Sequence, residues 1–97
     1  MKIKKYLIEE SGKIRAEIEI NSISKDLYSG IIIKEYFTIE QKELFKEFEL
    51  LVNDQVLSLL DKIEKGIEDL GFKIKGEQGK LLDLQIWNLK EISYEKK

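Results

Sequence analysis

The fold is decided by residues 38–71, which read TIEQKELFKEFELLVNDQVLSLLDKIEKGIEDLG. Apolar residues recur here every three or four positions, so their side chains form one stripe on a helix of about 100° per residue. A break in the middle, for instance at Asn53 and Asp54, would usually shift the phase of this stripe, and the phase does not shift. The pattern therefore predicts one continuous amphipathic helix. The stripe consists of Phe45, Phe48, Val52, Val56, Leu59, Ile63, Ile67 and Leu70.

Both ends of the predicted helix carry their own signals. Thr38 and Gln41 have the spacing of a capping box, in which each side chain bonds to the backbone amide of the other residue. Gly71 can adopt the left-handed conformation that ends many helices. Gly66 lies inside the helix, and we expect it to allow close approach to a neighbouring strand.

The predicted helix is longer and more apolar than one small sheet requires. At about 1.5 Å per residue it measures about 48 Å, so one end is expected to overhang the domain. Additional leucines, among them Leu50 and Leu57, make its middle apolar over most of the circumference. Either a curved sheet wraps the helix or a second helix from another subunit covers it, and the sequence leaves both open.

Composition restricts the functions open to the chain. Its 97 residues suffice for a single domain, residues 1–97, with one modest core. The chain contains no His and no Cys, which excludes disulfides and thiolate chemistry. The net charge of −2 creates no strong field for steering a charged ligand. Because there is neither a long apolar run nor a signal-peptide core, we expect a cytoplasmic protein.

Alternation with a period of two outside the helix predicts five strands. The first two form a hairpin that turns at Ser11 and Gly12, and the third leads into the helix. The predicted strands are residues 2–10, 13–21, 31–37, 72–77 and 80–94, with a polar connection at residues 21–30. The expected fold class is α+β, a mainly antiparallel five-stranded sheet packed on one long helix.

Two details of the predicted sheet can be specified further. If the hairpin turn is tight, Lys4 faces Glu19 and Leu7 faces Ala16. The three consecutive isoleucines at 31–33 indicate a central strand that is buried on both faces. This strand could pair with the first hairpin or with the last strand.

Alternation also places a set of apolar and aromatic residues on the sheet face directed away from the helix. Solvent-facing patches of this kind are associated with interfaces, where Trp and Tyr contribute much of the binding energy. The alternative for Trp87 is a bulge near Asn88 that turns its ring into the core. The predicted partner-binding residues are Tyr6, Ile8, Ile32, Tyr36, Trp87 and Leu89.

No arrangement of residues indicates catalysis, a metal or a cofactor. Glu17 and Glu19 lie two apart on one strand face, where such pairs are usually solvated. Asp54, Asp61 and Asp83 are too scattered to suggest a metal site, and no phosphate-binding loop occurs. We therefore predict no catalytic, metal-binding or cofactor-binding residues.

Two other binding functions remain as alternatives. Lysines beside Tyr6 and Trp87 could contact single-stranded nucleic acid, although the net negative charge and the near absence of arginine argue against it. A small ligand could instead enter the helix–sheet cleft, with Asn53, Gln55 and Ser58 as weak polar candidates. The lysines concerned are Lys2, Lys4, Lys73, Lys75 and Lys80.

The sequence thus favours a non-enzymatic protein–protein interaction module, a small adaptor or inhibitor-type protein that forms a homodimer. The contact is expected on the outer sheet face or on the overhanging helix, because the apolar surface exceeds what a thin two-layer domain can cover. Neither nucleic acid nor a membrane is expected as a partner.

Overall fold

The computed structural model describes residues 2–96, which form six strands and two α-helices. A 3₁₀ turn at Leu57–Leu59 directly precedes the second helix. The elements in chain order are β1 (Ile3–Ile8), β2 (Ile14–Ser24), β3 (Leu27–Glu35), α1 (Ile39–Asn53), α2 (Leu60–Asp69), β4 (Lys73–Ile74), β5 (Leu82–Trp87) and β6 (Glu91–Glu95).

All strands belong to one antiparallel sheet in the order β4-β1-β2-β3-β6-β5. The sheet curls into a half-barrel, and both helices pack against one of its faces. The predicted α+β class with a mainly antiparallel sheet is confirmed, although the sheet has six strands and not five. β3 pairs with β2 and also with β6, so both pairings considered for the third strand occur.

The first hairpin has the predicted register over most of its length. Lys4 pairs with Glu19, and Leu7 pairs with Ala16. The turn is wider than two residues, because the amide of Glu9 donates to the carbonyl of Lys13 over 3.0 Å and the register shifts after Leu7.

The prediction that residues 21–30 form a polar connection is wrong. β2 continues to Ser24 and β3 begins at Leu27, so the two strands are joined by a tight turn in which Lys25 has a φ of 58°. The polar residues of this segment therefore lie in paired strands. Strand pairing can accommodate them, because it satisfies the backbone N–H and C=O groups whatever the side chains are.

The prediction of one continuous helix is also wrong. α1 ends at Asn53, and Gln55 adopts a left-handed φ of 58° before the chain turns into α2. The longest dimension of the molecule is 34 Å, whereas an unbroken helix would measure about 48 Å and carry its second half past the sheet. The break lets α2 fold back against α1 and β5, where Ile67 becomes buried. Neither helix combines the length and apolar character needed to cross a membrane.

The start of α1 has the predicted capping box. The amide of Gln41 donates to the Thr38 hydroxyl over 3.1 Å, and the amide of Thr38 donates to the Gln41 side-chain oxygen over 3.0 Å. The Gln41 side chain also donates to Glu9 over 2.8 Å, which ties the helix to the first hairpin. Gly66 approaches Leu44 of α1 and not a strand, since a Cβ at Gly66 would lie 3.3 Å from a Leu44 methyl carbon.

The predicted last strand is in fact a hairpin, β5 followed by β6. Its turn contains Asn88 and Leu89 with φ values of 53° and 55°, and the amide of Lys90 donates to the carbonyl of Trp87 over 2.9 Å. Because Ile86 pairs with Ile92 across this turn, even-numbered residues from Leu84 to Tyr94 face the helices. The four that are buried there are Leu84, Ile86, Ile92 and Tyr94. The bulge at Asp83 reverses the alternation before Leu84, so that Leu81 is buried and Leu82 is exposed.

An aromatic cluster joins α1 to the sheet. The ring of Phe45 lies 5.3 Å from that of Phe37 and 6.3 Å from that of Phe72, measured between centroids. Inward-facing aliphatic residues of the strands surround these rings. The core also contains Leu7, Ala16, Ile18, Ile20, Phe48, Ile67, Ile74, Leu81, Leu84, Ile86, Ile92 and Tyr94.

Candidate interaction surface

The outer face of the sheet, which is the face directed away from both helices, carries an apolar stripe along β3. We call this set the β3 stripe: Leu27, Ile31, Ile33 and, just after the strand, Tyr36. Their exposed fractions are 43%, 43%, 46% and 48%. β3 is an interior strand of the sheet, so the stripe runs through the middle of this face.

Of the predicted interface residues, Tyr6 and Tyr36 lie on the outer face. The Tyr36 hydroxyl donates to Glu17 over 3.4 Å, and Glu17 lies directly opposite Tyr6 in the pairing of β1 with β2. The ammonium groups of Lys4 and Lys75 each lie 5.8 Å from the centroid of the Tyr6 ring. This ring is therefore already engaged by cations of its own chain.

Ile8 and Ile32 do not lie on the outer face, and their predicted placement is wrong. Ile8 is buried because the register of β1 shifts after Leu7. Ile32 pairs with the buried Ile18 and packs against the core, which turns Ile31 and Ile33 outward. Three consecutive isoleucines show no alternation of apolar and polar side chains, so the sequence could not show which of them would face solvent.

Trp87 and Leu89 lie at the boundary between the core and the outer face. Trp87 is half-buried, and its ring meets that of Phe48 edge to face at a centroid distance of 5.5 Å. Leu89 packs against the core from the hairpin turn. A bulge does occur in β5, but it lies at Asp83 and not at the predicted position near Asn88.

One row of paired residues crosses the outer face from β1 to β5. In this row Ile31 is central, and carboxylates lie directly on either side of it. A shallow groove of about 320 Å³ opens beside Ile31, with Trp87 and Glu91 among its lining residues. The full row, from strand to strand, is Lys4, Glu19, Ile31, Glu91 and Trp87.

The lysines of the nucleic-acid alternative are largely neutralised by the chain itself. Lys4 pairs with Glu17 at 3.1 Å, Lys80 with Glu10 at 3.1 Å, and Lys2 lies 4.0 Å from Glu19. Lys73 and Lys75 lie in and just after β4 at one edge of the sheet. Three of the five lysines thus have a carboxylate of the same chain nearby, which reduces the positive charge available to a phosphate backbone.

The three polar residues of the small-ligand alternative do not lie in a helix–sheet cleft. Asn53, Gln55 and Ser58 are exposed in and around the connection between α1 and α2. Apolar residues around this connection are also exposed, namely Leu50, Val56, Leu57 and Leu59. The helix break is therefore a second apolar surface, on the opposite side of the molecule from the outer face.

An acidic groove of about 380 Å³ separates α2 from β5. Four of its lining residues are acidic and one is basic, so its field is negative. Within residues 2–96, no three acidic side chains are arranged to hold a metal ion. The groove is lined by Asp61, Glu64, Lys65, Ile67, Glu68, Asp83 and Leu84.

A polar cluster lies on the helix side of the sheet near Tyr94. Lys5 and Lys96 each donate to a different carboxylate oxygen of Glu77. Burial alone would raise the pKa of Glu77, but the hydrogen bonds from both lysines outweigh it and hold that pKa below its usual value. The ring of Tyr94 stacks on Tyr28 at 5.3 Å, and its hydroxyl is buried with no hydrogen-bond partner among residues 2–96.

Replacing Tyr94 with phenylalanine is expected to raise the free energy of unfolding by about 1 kcal/mol, because it removes a buried hydroxyl that none of the described residues hydrogen-bonds. Burial raises the pKa of Tyr94 above its ordinary value of 10.0, with a smaller contribution from nearby Glu77. Above pH 10 the unfolded chain therefore releases this proton first, and the wild type loses stability as the pH rises. The advantage of Y94F should grow over the same range.

Urea denaturation at neutral and alkaline pH measures this difference. Tyr28→Phe removes a hydroxyl from the stacked neighbour and should change the free energy of unfolding by less than about 0.5 kcal/mol. A Y94F protein that is less stable than the wild type would show that the hydroxyl has a stabilising partner.

Comparison with known proteins gives no homologue for this surface or fold: no protein-family model, curated protein sequence or solved structure matches the chain. The surface therefore defines only a class, a small α+β protein with an apolar stripe in the centre of its outer sheet face.

Proposed function

We propose that this protein is a protein–protein interaction module that self-associates through the outer face of its sheet. The single observation that supports the proposal is the β3 stripe. An interior strand whose side chains are apolar on both faces fits a sheet covered by two layers. The chain supplies one layer, which covers Ile32, and leaves Ile31 and Ile33 exposed.

A second copy is the simplest cover for such a face. Soluble proteins most often associate as twofold dimers, in which the same patch is used by both subunits. A stripe along the centre of the face can meet itself across a twofold axis and exclude water from all its members. Because the helix is broken, neither half extends beyond the domain as an overhang. Of the two contacts expected from the sequence, the proposal therefore keeps the outer sheet face.

The double substitution Ile31→Thr/Ile33→Thr tests the proposal. Threonine retains the β-branched shape that suits a strand but removes apolar area, so the fold should persist while the dimer weakens by about tenfold or more. Sedimentation at micromolar concentrations should give twice the chain mass of 11.4 kDa for the wild type and a mass nearer to a single chain for the variant.

The matched control is Leu57→Thr/Leu59→Thr, which removes the same kind of side chain from the exposed helix connection. We expect this control to remain dimeric. A wild-type protein that stays monomeric at high micromolar concentration would contradict self-association. If the control variant is monomeric while Ile31→Thr/Ile33→Thr remains dimeric, the contact lies at the helix connection and not on the outer face.

A further inference from the structure

The connection between α1 and α2 interrupts a helical pattern without a helix-breaking residue. Residues 53–59 read NDQVLSL and contain neither Gly nor Pro. Gln55 nevertheless has a φ of 58°, a left-handed conformation that is unfavourable for a residue with a Cβ. Val56 and Leu59 continue the apolar stripe through this segment, yet they are 37% and 53% exposed. The break therefore depends on the packing of α2 and leaves part of the stripe in solvent.

The packing of α2 on α1 is symmetric about the break. A Cβ at Gly66 would lie 3.3 Å from a methyl carbon of Leu44, and each of these residues is eleven positions from Gln55. Segments that meet at equal distances from a turn run antiparallel. In one straight helix, eleven residues make three turns to within about 20°, so positions 44 and 66 would share a face. A straightened helix thus keeps both surfaces of this contact on one side.

We propose that the break is a hinge, and that two copies of the chain exchange their C-terminal halves when it straightens. In each copy α1 and α2 become one joined helix over residues 39–69. The two joined helices lie antiparallel, with Leu44 of each against Gly66 of the other. The contacts between the halves are kept but are made to the second copy, namely β6 with β3, β4 with β1 and α2 with α1. Such an exchange needs no new interface, because the monomer already contains every contact it uses.

The unbroken phase of the stripe gives the exchanged dimer a consistent geometry. Both ends of a joined helix direct their apolar residues to the same side, so both sheets lie on one side of the helix pair. A twofold axis perpendicular to the pair requires this arrangement. The centres of the two halves of a joined helix are about 28 Å apart, close to the molecule's shorter dimensions of 29 and 24 Å. The two sheets can therefore lie side by side, with Val56 and Leu59 between them.

This exchange goes beyond the contact proposed between the outer sheet faces and does not rest on it. The two also differ in rate, because exchange must separate β6 from β3 and β4 from β1 before the halves can change partners. We expect the exchanged dimer to form on refolding from urea at millimolar concentration, where mass action favours it. It should then persist after dilution, since its dissociation requires unfolding.

Introduced cysteines show whether the halves are exchanged. Ser29 of β3 is paired with Ser93 of β6, and the natural chain contains no cysteine. Directly paired strand residues have the Cα separation that a disulfide needs. In the exchanged dimer Ser29→Cys/Ser93→Cys should link the two chains, so the oxidised protein migrates at twice 11.4 kDa on a denaturing gel without reductant.

The matched control is Ser22→Cys/Ser29→Cys, because these two residues are paired within the N-terminal half. Its disulfide stays within one chain in any dimer, so the denatured protein should migrate at 11.4 kDa. Both variants change Ser29, so a disulfide formed across two outer faces would appear in both. Only exchange links the chains in the first variant alone.

Two substitutions of Gln55 should shift the exchange in opposite directions. Gln55→Gly relieves the left-handed strain and disfavours the joined helix, and each dimer contains two hinges. We expect it to weaken the exchanged dimer by about a hundredfold. Gln55→Ala favours the joined helix and should strengthen the dimer by about threefold. Gel filtration after refolding measures both, and circular dichroism shows that the monomers are folded.

The outcomes separate this proposal from the proposed function. Single-chain bands from a dimer of the Ser29→Cys/Ser93→Cys variant, or linked chains in both cysteine variants, would show that the halves are not exchanged. The contact between outer faces would be unaffected by that result. Linked chains in the first variant alone, in a dimer that Ile31→Thr/Ile33→Thr does not weaken, would support exchange and contradict the outer-face contact. Refolding that gives only monomer, or a dimer unchanged by Gln55→Gly, would overturn the hinge.

Discussion

Replacing Gly30 with alanine is expected to unfold the protein or to lower its free energy of unfolding by at least about 3 kcal/mol. A Cβ at this position would lie 2.0 Å from the carbonyl oxygen of Glu19 and 2.9 Å from the Cα of Ile20. Both contacts are with backbone atoms of β2, which cannot move without separating β2 from β3. Small domains are stable by only about 5–15 kcal/mol, so this loss is a large share of the total.

Thermal denaturation followed by circular dichroism measures the effect, with an expected fall in Tm of about 12 °C or more. Ser29→Ala is the matched control, because it changes the adjacent residue of the same strand without adding an atom at the close approach. It should alter the free energy of unfolding by less than about 0.5 kcal/mol. A G30A protein with wild-type Tm would show that β2 and β3 are farther apart than described.

Replacing Phe45 with alanine should lower the free energy of unfolding by about 3–5 kcal/mol. Phe45 is 1% exposed, and its ring contacts those of Phe37 and Phe72. The substitution removes apolar contact and leaves a cavity where α1 meets the sheet. Phe45→Leu fills part of that space and should cost less, so the two variants together separate a cavity effect from a local effect on the helix.

Urea denaturation gives both values, and Ile39→Ala is the control from the same helix. Ile39 is 72% exposed, so its truncation should change the free energy of unfolding by less than about 0.5 kcal/mol. An F45A protein that is destabilised no more than I39A would indicate that α1 does not pack on the sheet through its aromatic residues.

Several parts of the outer face could be predicted from the sequence, and others could not. The alternation in the first hairpin correctly placed Tyr6 on the outer face. The isoleucines at 31–33 correctly indicated an interior strand, but the predicted burial on both faces is wrong, because Ile31 and Ile33 are exposed. Their uniform character also hid which of them face outward. The strand pairings that bring Glu91 and Trp87 level with Ile31 are contacts between distant segments, and no local pattern encodes them.

The alternation of buried and outward residues continues across the turn of the last segment, from Leu84 to Tyr94, for a specific reason. The sequence predicted one strand from residue 80 to 94, whereas the structure turns back at Asn88 and Leu89. The pairing of Ile86 with Ile92 is symmetric about the turn, so residues of the same parity face the same side in either arrangement. Alternation therefore holds from Leu84 to Tyr94 although the predicted single strand is wrong. Before the bulge at Asp83 it fails, because Leu81 is buried and Leu82 is 38% exposed.

The sequence by itself determined the periodic features of this protein: the α+β class, the register of most of the first hairpin, the capping box at Thr38, and which residues of β2 share a face. Periodicity specifies this because successive side chains in a strand or helix point in fixed directions, whatever the rest of the chain does.

Only the tertiary structure decided where the chain turns. At Gln55 and at Leu89 non-glycine residues adopt a left-handed conformation for which they have no local preference. At Leu89 packing against the core holds the turn, and at Gln55 the break allows α2 to fold back against α1 and β5. The number of helices and strands, and with them the exposure of the β3 stripe, thus depended on contacts between segments far apart in the chain.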